Sequence, residues 1–102
     1  MVRIADHLIH AESVPDFYKM AMAWLVDNGH MQRVDTLVPF KTSQQRYLIA
    51  KTPRHPNGKD FFSPVNHRGY YMEAHKNYRD AVFHLRKLLA NISLHVEYVA
   101  ND

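Results

Sequence analysis

A chain of 102 residues with no cysteine has room for one hydrophobic core, and it excludes disulfides and thiolate metal sites. Apolar residues at 46% against 23% charged residues exclude a disordered chain, and no apolar run reaches the roughly eighteen residues that a membrane span needs. The formal net charge of +3 is uneven: residues 1–40 carry three basic and five acidic side chains, residues 41–76 seven and two, and residues 77–102 three of each. The basic excess therefore sits in the middle of the chain, where a polyanion would find it.

Residues 2–9, VRIADHLI, read as a strand or an extended arm. Asp6, His7, His10 and Glu12 interrupt the apolar stretch that a signal peptide requires, so the expectation is a soluble cytoplasmic protein with no membrane contact, of the size of a small bacterial or mobile-element protein. Ser13 caps a helix running to about Asn28, with Pro15 in its first turn and Asn28-Gly29 as its stop. Phe17, Met20, Ala21, Trp24 and Leu25 form its expected apolar face, which leaves Met22 and Val26 on the other side.

From Val34 the texture turns strand-like. VDTLVPF, RYLIAK, DFFSPV and GYYMEAH are four runs separated by Lys41 to Gln44, by the loop holding Pro53, Pro56, Asn57 and Gly58, and by a tight turn from Asn66 to Gly69. Pro39 cannot donate to a ladder, so the first run belongs at an edge or ends there. The segment Asn77 to Ala100 is the clearest part. Asn77 caps a helix, Asp80 follows three residues later, and Tyr78, Ala81, Val82, Leu85, Leu88, Leu89 and Ile92 recur at helical spacing. After Ser93 the period becomes two, with Leu94, Val96 and Tyr98 on one face. The expected order is (β)αββββαβ. It describes a single α+β domain over residues 1–102, two helices packed on one face of a mostly antiparallel four- to six-stranded sheet.

The basic meander is the expected functional surface. Lys41, Arg46, Lys51, Arg54, Lys59, Arg68 and Lys76, with His55 and His67 on its loops, are interleaved with Tyr47, Phe61, Phe62, Tyr70 and Tyr71. Lys and Arg neutralise phosphates and aromatic rings stack on unpaired bases, so DNA or RNA is the expected partner. The plainer alternative buries the aromatics and leaves the basic residues solvated. Phe83 falls off the apolar stripe of the last helix beside Arg79 and Arg86, and with Met22 and Val26 it marks an expected homodimer interface, in a module that could act without nucleic acid.

No catalytic residue, cofactor or metal is assigned. GxGxxG, GxxxxGK[ST] and HExxH are absent; His7 and His10 with Glu12 lack a third ligand; and Asp60, Glu73 and Lys76 depart from the E-x-K spacing of metal-dependent nucleases. A metal-free ribonuclease with His55 and His67 as acid and base is a third reading.

Overall fold

The computed structural model describes residues 1–99, and its fold is α+β. Among the described residues three helices, α1 (Val14–Asp27), α2 (Met31–Asp35) and α3 (Tyr78–Ala90), accompany seven strands, β1 (Val2–Ile4), β2 (His7–Ile9), β3 (Phe40–Ser43), β4 (Arg46–Ala50), β5 (Pro64–His67), β6 (Tyr70–Glu73) and β7 (Val96–Tyr98). The strands form two antiparallel sheets, β2-β1-β7 and β3-β4-β6-β5, where one had been expected. The division follows from pairing between the chain's two ends: β1 lies between β2 and β7, with Val2 opposite both Ile9 and Tyr98. The N-terminal segment is thus a hairpin, and Ala100, which closes the expected last segment, lies outside the described residues.

Both long helices begin as their caps dictate. The Ser13 hydroxyl accepts the Asp16 amide and the Asn77 carboxamide oxygen accepts the Asp80 amide at 2.8 Å, satisfying N–H groups that a helix start leaves open. On α3 the buried stripe is Ala81, Val82, Leu85, Leu88 and Leu89, as its spacing demands. On α1 the stripe is rotated. Val14, Phe17, Tyr18, Ala21, Met22 and Leu25 are buried, while Met20 is 47% exposed and Trp24 only half-buried. The cause is Tyr18, whose hydroxyl is buried because it donates to the Ala81 carbonyl of α3 at 2.9 Å, which turns the inward face toward its side. Met22 is therefore core, and Val26 is half-buried against it.

The run from Val34 begins as a helix and not as a strand. Met31 and Val34, three residues apart, are both buried, and Arg33 donates to the Ile92 carbonyl at 3.1 Å. Tertiary burial overrides the β-branched composition there. The meander starts at Phe40, immediately after Pro39, and β3 is an edge strand. Lys41 belongs to that strand, so the β3–β4 turn shrinks to Gln44-Gln45. The β5–β6 turn is Arg68-Gly69, whose φ values of 53° and 85° are the left-handed pair of a two-residue hairpin.

Strand β4 buries Leu48, Ile49 and Ala50 in succession, so it is covered on both faces. Residues 51–63 fold back beside the start of β4, where the Tyr47 amide donates to His55. Most of DFFSPV lies in this segment and not in a strand: Phe61 turns inward at 5% exposure, its amide donating to the Pro53 carbonyl, while Phe62 turns outward at 77%. No described helix is long and apolar enough to cross a membrane.

Candidate functional site

Strand β6 ends at Glu73, and four residues separate it from the start of α3 at Tyr78. That short link sets His75, Lys76, Asn77 and Asp80 beside the start of β4, where Arg46 and Tyr47 stand, and beside Thr42 of β3. His84, on the second turn of α3, completes a cleft of about 350 Å³. A second hollow of about 280 Å³ shares Arg46, His55, Glu73 and His75 and continues past Gln45, Asn57, Lys59, Asp60 and Phe62. The two make one groove across this end of the sheet.

The groove floor is the His55–Glu73 pair. Glu73 Oε2 accepts the Phe62 amide at 2.8 Å and His55 Nε2–H at 3.1 Å; Oε1 accepts the Ser63 amide at 2.8 Å and the His75 amide at 3.2 Å. Burial pushes the carboxyl up, but these four donors outweigh it and hold its pKa below the ordinary glutamate value. On the other side of the ring, His55 Nδ1 accepts the Tyr47 amide at 3.1 Å, which places the ring proton on Nε2. Both side chains are nearly inaccessible. This pair fastens segment 51–63 to the sheet. His55 is thereby withdrawn from the exposed surface, and Glu73 has no lone pair to spare for a metal.

Above the floor lies an aromatic step. With its amide held by Glu73 and Phe61 filling the space beneath, the Phe62 ring projects outward and rests on the His75 ring, centroids 4.1 Å apart. Arg46 and Lys59 line the same hollow as Phe62, both exposed and without an ion-pair partner among the described residues.

Lys76 sits deeper. Its Nζ donates to His84 Nδ1 at 3.0 Å and lies 5.7 Å from the Tyr18 ring centroid. Burial lowers the ammonium pKa to about 8, against the pull of Glu73 and Asp80 and with the push of Arg46. His84 is lowered too, by burial and then by the Lys76 charge.

Four of the nine expected nucleic-acid contacts, Arg46, His55, Lys59 and Lys76, meet at this groove. The others do not. His67 and Arg68 form the β5–β6 hairpin at the far end of β6, beside Tyr70. Lys51 pairs at 3.1 Å with Asp35, which also accepts the Tyr70 hydroxyl at 2.6 Å. Arg54 pairs with Asp60 at 3.4 Å, and Lys41 stands on the edge strand. His55 and His67 are thus at opposite ends of β6 and make no acid–base couple. His84 was missed because a helix face with one histidine carries no local signal.

Of the expected interface residues only Phe83 is exposed, at 46%; it lines a cleft of about 520 Å³ with Arg79, Arg86 and Tyr98. His7 stacks on Trp24, centroids 5.6 Å apart, and no three His, Asp or Glu side chains converge on a metal position among the described residues. Comparison with protein families, curated proteins and solved structures finds no match to this chain.

Proposed function

We propose that the chain binds single-stranded nucleic acid along the groove between the start of β4, segment 51–63 and the start of α3. One observation carries this reading: Phe62, 77% exposed, has its amide held by Glu73 and its ring on His75, in a hollow also lined by Arg46 and Lys59, which have no ion-pair partner among the described residues. A ring presented rigidly to solvent is a stacking platform for an unpaired base, and the cations of the same hollow take neighbouring phosphates. A double strand, whose bases are already stacked, would leave the ring unused. A reducing cytoplasm suits a chain free of cysteine.

The test is fluorescence anisotropy of labelled single- and double-stranded DNA and RNA across a salt series. Binding at micromolar concentration or tighter to single strands, with log affinity falling linearly against log salt, is the expected result. Flat titrations at low salt would overturn the reading.

A second reading is self-association. β7 is a sheet edge, and its Tyr98, 48% exposed, stands beside Phe83. An open edge with adjoining aromatic side chains suits antiparallel pairing with a second copy. Light scattering on wild type and Phe83→Asp decides it: a dimer that the substitution splits supports the reading, and a monomeric wild type removes it.

A further inference from the structure

Lys76 is an unusual lysine for a phosphate contact. A lysine that neutralises phosphate normally holds its ammonium in water, and one that stabilises a fold normally pairs with a carboxylate. Lys76 is half-buried, has no ion-pair partner among the described residues, and gives its hydrogen bond to an imidazole nitrogen, His84 Nδ1, at 3.0 Å. An amine within hydrogen-bond reach of a base is the arrangement of an activated nucleophile. The cleft in front of it, about 350 Å³, admits a small polar ligand, and Arg46 lines the same cleft.

An amine needs an electrophilic carbon, and an intact strand offers none at this position. A strand that has lost a base does. Its deoxyribose opens to a C1′ aldehyde, and the sugar, freed of its base, is small enough to enter the cleft with a phosphate still attached.

We infer that Lys76 forms an imine with the C1′ aldehyde of an abasic deoxyribose phosphate, with His84 taking the proton from its ammonium group and Arg46 holding the phosphate. This rests on the groove reading for its substrate, a single strand containing an abasic site. In the step, His84 Nδ1 removes one ammonium proton and the freed lone pair adds to C1′. The carbonyl oxygen takes one proton from the adding nitrogen to become a hydroxyl and, with the proton that His84 returns, leaves as water, so the product is the protonated imine and the positive charge is conserved. One C–N double bond replaces one C–O double bond and nothing is oxidised. The amine's pKa near 8 leaves a useful fraction unprotonated at neutral pH, unlike an ordinary lysine.

The experiment is borohydride trapping. Wild-type protein is incubated with a single-stranded oligonucleotide carrying one abasic site, or with 2-deoxyribose 5-phosphate, and the reduced adduct is located by peptide mass mapping; binding of the intact oligonucleotide is followed in parallel by anisotropy. The expected result is an adduct on Lys76 formed about tenfold or more faster than on the other lysines, as the lowered pKa demands. Lys76→Arg, which keeps the charge, abolishes it. His84→Gln slows trapping more at pH 7 than at pH 9, a profile that a merely structural role would not produce. An adduct spread over lysines in proportion to exposure, or trapping that survives in Lys76→Arg, overturns the inference. If the intact strand binds and no Lys76 adduct forms, the imine is wrong and the groove reading stands. If Lys76 is labelled by the free sugar phosphate and the intact strand does not bind, the imine stands and the groove reading falls.

Discussion

His55 donates its Nε2–H to Glu73 Oε2 across 3.1 Å while its Nδ1 accepts the Tyr47 amide, so one buried imidazole joins β4, segment 51–63 and the end of β6. Together with the Phe62 and Ser63 amides on the same carboxylate, this bond fastens segment 51–63 to the end of β6 and so shapes the groove.

Replacing Glu73 by Gln keeps the shape but turns an N–H donor toward groups that are themselves donors. Leaving buried donors unpaired costs about 2 to 3 kcal/mol. The pH dependence has a definite sign. The folded-state pKa of Glu73 lies below the ordinary 4.5, so its contribution is fully present above that value and is lost as pH falls through the folded value. Urea unfolding of the wild type should therefore show stability falling below about pH 4.5, and Glu73→Gln should be less stable at pH 7 with a shallower acid decline.

Tyr18→Phe removes the buried hydroxyl that donates to the Ala81 carbonyl at 2.9 Å and leaves the ring in place. The expected loss is about 1 kcal/mol, or a fall in Tm of roughly 4 to 8 °C. Burial holds the Tyr18 phenol far above its usual range, so the loss should be the same at pH 6 and pH 9 in thermal melts.

Lys76→Met should stabilise the protein at pH 7. With its folded-state pKa near 8 against 10.5 when unfolded, Lys76 is fully charged in the unfolded state and mostly charged in the folded state at pH 7, and costs the folded state about 1 to 2 kcal/mol of desolvation. Between pH 8 and 10.5 the unfolded chain binds more protons, so wild-type stability rises with pH and the advantage of the methionine shrinks. Denaturant midpoints at pH 7 and pH 10 measure this, and equal advantages at both would contradict it.

Phe62→Ala should weaken single-strand binding by about 1 to 3 kcal/mol without changing its salt slope, because it removes stacking and no charge. Lys59→Ala should flatten the slope by about one unit. Arg68→Ala, at the far end of β6, should leave both unchanged. Anisotropy titrations of the three variants across salt separate these outcomes.

Much of this protein is legible residue by residue. The cap and stripe of α3, the stop of α1 at Asn28-Gly29 and the α+β class all follow from short-range periodicity and backbone chemistry, which depend only on neighbours within a turn. The rotation of α1 and the helix at Met31–Asp35 were not legible, because each is decided by a distant partner: the Ala81 carbonyl for Tyr18, and the Ile92 carbonyl and core for Arg33 and Val34. The same holds for the site. That residues 41–76 are basic and aromatic is plain from composition alone; which of them converge depends on the folded chain, because hydrogen bonds from residues 55, 62, 63 and 75 to one carboxylate fold back a segment that has no periodicity of its own.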